Sequence, residues 1–525
     1  MSVLALPRAR VIDPYAHRYI IAITVALAST LEILDTSIVN VAIPHMMSSL
    51  GATLDQIAWV STGYIVANVI ILPITGWLAA RIGRRRYFAG SIALFTIASF
   101  GCGNSHSLGV LVAWRIVQGL GGGALLSTSQ AILYEVFPPA EYGTAMAIFG
   151  LGVMVGPTLG PTLGGTITDA LSWPWIFYIN IPLGIMTFFG TLAFIHDSRR
   201  ARTAGPVDYP GLLLLIVGVG ALQMMLERGE RQEWFASREI VILAILSAVG
   251  IIGLLWREIT AEHPIIDLRV LKNRQFTMGM IFAGALGLGL YATIFVLPVY
   301  LQNLQGFTAH ETGMVILPGA LASAAVMVVL GRTAGKFDPR LSVTVGAGLY
   351  FVAMWMMSHF TTQSGMPDYF WPLILRGAGL GMVFVPMTNL ALAQLRMDQI
   401  PQATGLYNLM RQMGGSFGIA IAATLLTRFV AWNRAALAEH VSLYDRVTRE
   451  RLQALSAHFA AGGAPLAEAQ ARALAVVNLQ VNRQAMMLSF ERLFLMFAVV
   501  MLLALPVLLL MRPGTIRRGG GAGAH

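Results

Sequence analysis

Apolar residues fill fourteen stretches of the chain, and short polar segments separate these stretches. A helix needs about 20 mostly apolar residues to cross the hydrocarbon core of a bilayer, and each stretch is close to that length or longer. The pattern therefore predicts fourteen transmembrane helices, at residues 19–42, 57–79, 87–105, 108–136, 142–168, 174–195, 209–227, 237–257, 276–302, 309–334, 341–361, 368–394, 402–430 and 486–511.

The composition also indicates an integral membrane protein. Of the 525 residues, 56% are hydrophobic and 11% are charged, and the mean hydropathy is +0.69. Soluble domains average about 25% charged residues, so this chain lacks the polar surface of a soluble fold. The net charge of +10 does not indicate nucleic-acid binding, because the basic residues form mostly short clusters between the apolar stretches. The fold class that follows is an all-α protein of the lipid bilayer.

The distribution of arginine and lysine predicts how the helices are oriented. Basic segments such as "RIGRRR" (81–86) and "HDSRRAR" (196–202) alternate with segments that lack both residues, such as "GNSHSL" and "QNLQGFTAHET". The segment 227–239 is an exception, since it is expected on the outer side and is mixed in charge. Short basic loops stay on the cytoplasmic side, so both termini are expected in the cytoplasm.

A weak internal repeat predicts two related halves. The segment "GWLAARIGRR" (76–85) resembles "GRTAGKFDPR" (331–340), and Arg115 and Arg376 lie near the starts of corresponding helices. Repeats of this kind are frequent in secondary transporters. We expect one six-helix half at 1–200, two inserted transmembrane helices at 201–260, and a second six-helix half at 261–525.

Residues 431–485 form the longest segment between two predicted spans, and they carry many charges. Within this segment, residues 439–459 and 465–486 have helical rather than strand character. The predicted orientation places the segment on the outer side, and a loop of this length crosses a membrane regardless of its arginines.

Two carboxylates, Glu32 and Asp35, lie within the first predicted span. Each charge costs about 2.5–3.5 kcal/mol at the centre of a bilayer, so such residues normally face the interior of a helix bundle and find a partner. Glu32 and Asp35 share one helix face, and Asp35 lies about 10 Å deep, at the same depth as Arg115 in the fourth span.

This placement leaves more than one role open for each acid. Burial favours the protonated form of a carboxyl group and a nearby arginine opposes it, so a site balanced between the two gains and loses a proton between conformations. Asp35 is thus either a proton carrier or half of a permanent structural pair with Arg115. Glu32 contacts a cationic substrate, carries a second proton, or only bonds to a neighbouring helix.

The fifth predicted span combines regularly spaced glycines with two prolines, at Gly152, Gly156, Pro157, Gly160, Pro161 and Gly164. The glycines form a smooth ridge that suits close helix packing, and the prolines remove backbone donors and bend the helix. The ridge serves packing alone or also acts as a pliable hinge with a tight seal between the halves.

Further polar residues within the spans are candidates for a substrate cavity: Asn68, Gln118, Asn180, Asn408 and Arg411. Arg411 is either a second charge-coupling residue or a structural donor to carbonyl groups. We find no nucleotide-binding sequence, no histidine or cysteine metal pattern and no catalytic triad, and the "GLGGG" cluster (119–123) follows no strand. An enzyme, a metal site and a bound cofactor are therefore not expected.

Five segments in order resemble the major facilitator superfamily. They are "LDTSIVNVAIP" (34–44), "GWLAARIGRRR" (76–86), "RIVQGLGGG" (115–123), "GPTLGPTLGG" (156–165) and "SWPWIFYINIPLG" (172–184). The resemblance extends over nearly the whole chain and is closer to the fourteen-span drug:proton antiporters, the EmrB/QacA group. It implies a major facilitator fold and alternating access by two helical halves, with the proton gradient as the energy source for export.

The resemblance also implies roles for individual residues. It assigns the proton-linked acid to Asp35, the coupling arginine to Arg115 and the antiporter glycine–proline motif to Gly156, Pro157, Gly160 and their neighbours. A conformational loop motif corresponds to Gly76, Arg81, Gly83, Arg84 and Arg85. This chain has Ala80 where the superfamily loop usually has an acid, which puts a charge latch centred on that acid in doubt.

The long segment 431–485 is similar to that of EmrB-type pumps, which work in the inner membrane with a periplasmic adaptor and an outer-membrane channel. The expected function is export of hydrophobic or amphipathic compounds such as drugs, uncouplers or fatty acids, as part of a tripartite system. The alternative for the segment 431–485 is a solvated insertion without a partner. The alternatives for the function are an exporter of a dedicated metabolite such as a siderophore, and a membrane receptor or scaffold.

Overall fold

The computed structural model describes residues 17–197, 205–333 and 336–511, and in these ranges the secondary structure is helical, without a β-strand. Within these ranges, thirteen helical stretches are long and apolar enough to cross a membrane. The remaining predicted span, 87–105, forms the 20-residue helix α5 (Arg84–Gly103), which is less apolar because it begins with three arginines. The structure confirms the all-α membrane class, and the helix count is consistent with fourteen spans.

The first half of the chain contributes six spanning segments. The second of them is broken at Pro73, which lacks a backbone N–H, so that a 3₁₀ turn at Leu72–Ile74 joins two helices. Besides α5, the helices of this half are α1 (Arg18–Leu50), α2 (Leu54–Ile57), α3 (Trp59–Ile71), α4 (Thr75–Ile82), α6 (Leu108–Val136), α7 (Tyr142–Ala170), α8 (Trp175–Tyr178) and α9 (Asn180–Phe194).

The next two helices, α10 (Tyr209–Arg228) and α11 (Arg238–Thr260), form a hairpin beside the two halves. They pack closely where a Cβ at Gly250 would lie 2.4 Å from the Cα of Gly218. α10 also packs against α3 of the first half. The turn between the hairpin helices reaches the second half, because the Trp234 indole N–H donates to Thr424 Oγ1 at 2.8 Å.

The second half contains the remaining helices and a π-helical turn, Tyr300–Leu304, shortly after Pro298. The helices are α12 (Arg274–Val299), α13 (Ala309–Arg332), α14 (Pro339–Met357), α15 (Met366–Leu392), α16 (Ile400–Glu439), α17 (Arg446–Ala461), α18 (Leu466–Ala504) and α19 (Pro506–Leu509). Glycines again mark the closest crossings: a Cβ at Gly377 of α15 would lie 1.8 Å from the Gly319 carbonyl oxygen of α13.

The helices on both sides of the segment 431–485 extend into it beyond the predicted span limits. Its first residues, 431–439, continue α16, and residues 466–485 are the first half of α18, with α17 packed on α18 between them. Asn433 links the two long helices by donating to Ser489 Oγ at 2.9 Å. Hydropathy detects only the apolar part of a helix, whereas backbone hydrogen bonding continues into its polar extension. We call residues 431–485 the helical projection.

The glycine ridge of α7 packs against α1 inside the first half. A Cβ at Gly156 would lie 2.9 Å from the Leu34 backbone nitrogen, and one at Gly160 would lie 2.3 Å from Ser37 Oγ. Gly152 and Gly164 face α1 in the same way. A seal between the halves, one interpretation of the ridge, is therefore wrong for these four glycines, which hold α7 against the helix of Glu32 and Asp35.

The prolines of α7 explain one contact of this interface. Pro161 has no N–H for the carbonyl of Pro157, four residues earlier. The Ser37 hydroxyl of α1 donates to that carbonyl oxygen at 3.4 Å. A side chain of α1 thus replaces a backbone donor that α7 lacks, as buried carbonyls in a bilayer require.

The basic loop after α4 binds acids of the first half. Gly83 has φ +91°, which favours glycine, and the turn places the Arg85 amide 2.9 Å from Asp197 Oδ1. Arg84 forms an ion pair with Glu135, and Arg81 donates to the Gly205 carbonyl at 3.2 Å. Where the usual loop acid is replaced by Ala80, Arg84 therefore pairs with another acid, and the Arg81 side chain binds a backbone carbonyl. We call the end of the bundle with Arg18, Arg81, Arg84 and Arg85 the arginine-rich end.

We expect Gly160→Ala to destabilise the protein by about 1–3 kcal/mol, because the added methyl group overlaps Ser37 and overpacks the α1–α7 contact. Gly90→Ala is the matched control, since a Cβ there meets no atom within 4 Å and alanine favours the helix. Thermal unfolding of both variants in detergent measures the difference. Equal midpoints for the two variants would contradict the packing assigned to the ridge.

Candidate functional site

A cavity of about 990 Å³ lies between the two halves. Helices α1, α3 and α7 form its wall on one side, and helices α12, α13, α15 and α16 form the other. The cavity extends from Glu32, in the middle of α1, to residues at the end of the bundle opposite the arginine-rich end, such as His45, Asp55 and Asp169. Its lining combines apolar side chains with polar and charged ones.

Glu32 is the acid of α1 that lines this cavity. Its carboxylate accepts a hydrogen bond from Asn68 Nδ2 at 2.9 Å and another from the backbone N–H of Leu126 at 3.1 Å. The side chain is 4% exposed, and the contacts come from α3 and α6. Two donors stabilise the charged form of the carboxylate while one side of it faces the cavity.

Asp35, one helical turn further along, does not line the cavity and has no exposed surface. Arg115 Nη1 donates to Asp35 Oδ2 at 2.5 Å, and Gln118 Nε2 and Asn180 Nδ2 each donate to Oδ1 at 2.9 Å. Three donors from α6 and α9 thus enclose the carboxylate within the first half. The equal depth of Asp35 and Arg115 in the sequence allowed the two to meet, and in the structure they form a direct ion pair.

Arg115 is held by more than this acid. Its Nε donates to the Val60 carbonyl at 3.0 Å, and its Nη1 also donates to Gln118 Oε1 at 2.6 Å. The guanidinium carbon lies 4.2 Å from the centroid of the Tyr64 ring, a cation–π contact that is strongest where water is excluded. The network joins α1, α3, α6 and α9 around one buried pair of charges.

Direct contacts between the halves close the arginine-rich end. A Cβ at Gly76 would lie 2.8 Å from the Gln402 backbone, so α4 and the start of α16 touch. Nearby, the Gln402 amide donates to the Pro73 carbonyl at 3.1 Å, and the Tyr134 hydroxyl donates to Asn389 Oδ1 at 2.7 Å. The structure therefore shows the cavity open at one end and closed at the other.

Four of the five predicted cavity residues divide into three groups. Asn68 lines the cavity beside Glu32. Gln118 and Asn180 do not, since both belong to the Asp35 network. Asn408 is also misplaced as a cavity residue, because it donates to Gln130 Oε1 at 3.0 Å in the closed contact between α16 and α6. Side-chain polarity marked these positions, but the helix faces that they occupy differ.

Arg411 of α16 is buried, with 1% of its surface exposed. Its guanidinium carbon lies 5.2 Å from the Phe384 ring centroid, and among the described residues its Nε and Nη1 atoms have no hydrogen-bond partner. It lies within electrostatic range of Glu32 across the boundary between the halves. One predicted role of Arg411 was to donate to carbonyl groups, and these two atoms do not do so.

The sequence interpretation missed two members of the Asp35 network. Ser99 Oγ accepts a hydrogen bond from Gln118 Nε2 at 2.8 Å, and Tyr64 stacks on Arg115. Serine and tyrosine are common in apolar helices, so their type alone gave no signal. The position of Ser99 did give a signal, because Ser99 lies in the outer half of its predicted span, as Arg115 does in the following span.

Comparisons with known proteins agree with this architecture. The sequence profile of the family described as "Major Facilitator Superfamily" matches residues 25–419. The chain is 34% identical to "Multidrug export protein EmrB" of Escherichia coli (strain K12), over 97% of this chain and 98% of that one. It is 35% identical to "Fatty acid resistance protein FarB" of Neisseria gonorrhoeae, over 95% and 97% of the two chains.

A solved structure shows the same fold at low sequence identity. The human transporter MFSD10 superposes with a TM-score of 0.57, covering 92% of this chain and 99% of that one at 14% identity. The arrangement of helices is therefore shared, and at this identity the likeness concerns the fold alone.

We expect Asp35→Ala and Arg115→Ala each to cost about 3–5 kcal/mol of unfolding free energy, because each leaves a buried charge without its partner. The double variant should lose much less than the sum of the two. Arg446→Ala, which breaks the exposed pair with Glu450, is the control and should cost at most about 0.5 kcal/mol. Denaturant unfolding in detergent gives the four values, and strict additivity of the two single losses would show that the pair is not coupled.

Proposed function

Since the chain belongs to the major facilitator superfamily, we propose that this membrane transporter exports amphipathic organic compounds, such as drugs and fatty acids, in exchange for protons. The observation that carries the proposal is a cavity between the halves that is open at one end, closed at the other, and has the Glu32 carboxylate on its wall. The names of the EmrB and FarB relatives support compounds of these two kinds as cargo.

Transport requires the two halves to rock about the cavity. The contacts that close the arginine-rich end include hydrogen bonds and close backbone approaches, such as Gly405 against the Leu72 carbonyl. Breaking them leaves the Asp35 network and the glycine ridge intact, because both lie within the first half. Opening at this end and closing at the other would expose the same cavity to the opposite side of the membrane.

Proton exchange is assigned to the two acids of α1. Glu32 faces the cavity, so a proton or a cargo molecule reaches it directly in this conformation. Asp35 is enclosed and paired with Arg115, so it gains a proton only when the pair opens. Because α7 packs along the α1 helix, movement of α1 during rocking links the two sites. This arrangement alternates proton access without a cofactor.

The cavity wall suits cargo with a large apolar part. Apolar side chains of the second half, including Leu290, Ile294, Phe295 and Leu380, face the cavity, and hydroxyl and amide groups of α1 and α3 lie opposite. Apolar walls with few polar groups bind by burial of surface, which depends little on the shape of a ligand. Broad selectivity toward amphipathic compounds follows from this lining.

The orientation of the bundle is assigned by charge. The arginine-rich end carries most of the basic loops, so we assign it to the cytoplasm of a bacterial cell, with both termini on that side of the inner membrane. The open end of the cavity then faces outward, and the helical projection extends from that outer face.

The helical projection is proposed to contact a periplasmic adaptor, which would connect the transporter to an outer-membrane channel. Its tip exposes large apolar side chains, with Leu443, Tyr444 and Val447 between 69% and 96% exposed. The tip is ordered by Asp445, which caps α17 by accepting from the Thr448 N–H at 2.8 Å; these hydrogen bonds hold the pKa of its carboxyl below the usual range. Exposed apolar side chains on a polar, ordered tip are typical of a contact site.

We expect Glu32→Gln and Asp35→Asn each to reduce pH-gradient-driven export at least tenfold in proteoliposomes, since neither variant can carry a proton at the substituted site. Export is followed by the fluorescence of a hydrophobic dye, with and without an imposed gradient. Glu262→Gln, an exposed acid outside the spans, serves as the control and should export at the wild-type rate.

The export measurements distinguish the roles of the two acids. Gradient-dependent export that survives in Asp35→Asn alone would assign that carboxylate to a permanent structural pair. Export by the wild type at the same rate with and without the gradient would overturn proton coupling altogether.

Replacing Leu443, Tyr444 and Val447 together by serine should abolish crosslinking to the adaptor and lower drug resistance of cells, while export by proteoliposomes stays unchanged. The expected loss arises because the variant removes the exposed apolar contact and leaves the bundle untouched. Arg446→Gln at the same tip is the control. Full resistance and crosslinking in the triple variant would indicate a solvated insertion without a partner.

A further inference from the structure

Among the residues that the structure describes, the second half contains two buried arginines and no buried acid to pair with them. Helices α12–α16 span residues 274–439, and in their described residues the acids within a helix are Glu311 and Asp368, each in a first turn, and Glu439 at the end of the helical projection. Arg376 and Arg411 lie deep in these helices. A charge at such depth is costly, so it normally pairs or faces a water-filled cavity.

Of the two buried arginines of the second half, Arg376 is the one that lines the cavity. It lies about 15 Å along α15 from the start of the helix, and 8% of its surface is exposed. Its Nη1 atom has no hydrogen-bond partner among the described residues, and neither has the buried Ser323 Oγ of α13, which lines the same cavity. Two donors at the wall of one cavity thus lack an acceptor.

The first half shows what a satisfied arginine looks like in this fold. Arg115, in the corresponding helix, has Asp35, a backbone carbonyl and Gln118 as acceptors. Arg376 has no comparable set, and its ionisable neighbour is the Tyr350 phenol. That hydroxyl donates to the Gly289 carbonyl at 3.0 Å.

Arg411 does not share this position. It lies within electrostatic range of Glu32 and does not line the cavity. Arg376 is therefore the buried cavity arginine, within the described chain, whose charge no acid compensates.

We propose that Arg376, together with Ser323, binds the carboxylate of an amphipathic organic acid. A guanidinium offers paired donors in the plane of a carboxylate, and the hydroxyl supplies one more. Leu373 and Leu380 flank Arg376 on the cavity side of α15, so an apolar body lies against them while the charged group is bound. This inference rests on the proposed export function and assigns its cavity an anionic class of cargo.

The test compares ligands with one apolar body and different head groups. The purified full chain in nanodiscs of phosphatidylcholine is titrated with 1-pyrenebutyrate and with 1-pyrenebutanol, and binding is followed by energy transfer from tryptophan. We expect the carboxylate to bind at least tenfold more tightly than the alcohol. Arg376→Gln should reduce that ratio to about one without changing the affinity for the alcohol, and Arg376→Lys should retain part of it.

Controls separate the sources of the anionic group. Arg428→Gln, an exposed position of α16, should keep the wild-type ratio. Decanoate and 1-naphthoate compete as an aliphatic and an aromatic carboxylate, and displacement by either supports the proposal. If neither decanoate nor 1-naphthoate displaces the pyrene ligand, but phosphatidylglycerol in the nanodisc abolishes its binding, the site binds a lipid phosphate and the proposal is overturned.

A wild-type ratio in a folded Arg376→Gln variant would also overturn the proposal. If that variant does not fold, wild-type protein is photolabelled with a diazirine-bearing decanoate. Adducts on residues 373–380 or 316–323 are expected, and adducts confined to other helices contradict the site. None of these measurements uses a pH gradient, so a loss of proton coupling in Glu32→Gln is distinguishable from a loss of carboxylate binding.

Discussion

The ion pair of Asp35 and Arg115 is the interaction on which the first half depends. In a bilayer no solvent compensates a charge, so the protein must supply every partner. Here four helices do so, with acceptors and donors that close around both groups at 2.5–3.0 Å. The position of α1 is fixed by this network on one side and by the glycine ridge of α7 on the other.

The consequence for the site is that Asp35 and Glu32 have different surroundings although they are three residues apart. The side of α1 that meets α6 and α9 is closed by the arginine network, and the side that faces the second half borders the cavity. One acid is thus enclosed and the other accessible in the same conformation. A rigid helix that carries both acids converts movement of the halves into a change of environment at two positions.

The two halves differ in charge although they share an architecture. The first half places its arginine beside an acid, whereas the second half leaves Arg376 on the cavity wall without one. An unpaired arginine in this place destabilises the empty protein and binds an anion. The halves are held together at the arginine-rich end by hydrogen bonds and glycine contacts. Apolar side chains such as Phe149 and Phe384 also pack across the boundary between the halves.

The sequence by itself determined the class of the protein, the number of helices and the presence of charges within them, because apolar length and buried acids are local properties of the chain. Asp35 and Arg115 could be matched by depth, and Asn68 by polarity. Only the tertiary structure decided which helix face each residue occupies. It placed Gln118 and Asn180 on the enclosed acid, Asn408 in the closed contact and the glycine ridge against α1. The physical reason is that helix rotation and packing are set by contacts distant in sequence, and hydropathy contains no record of them.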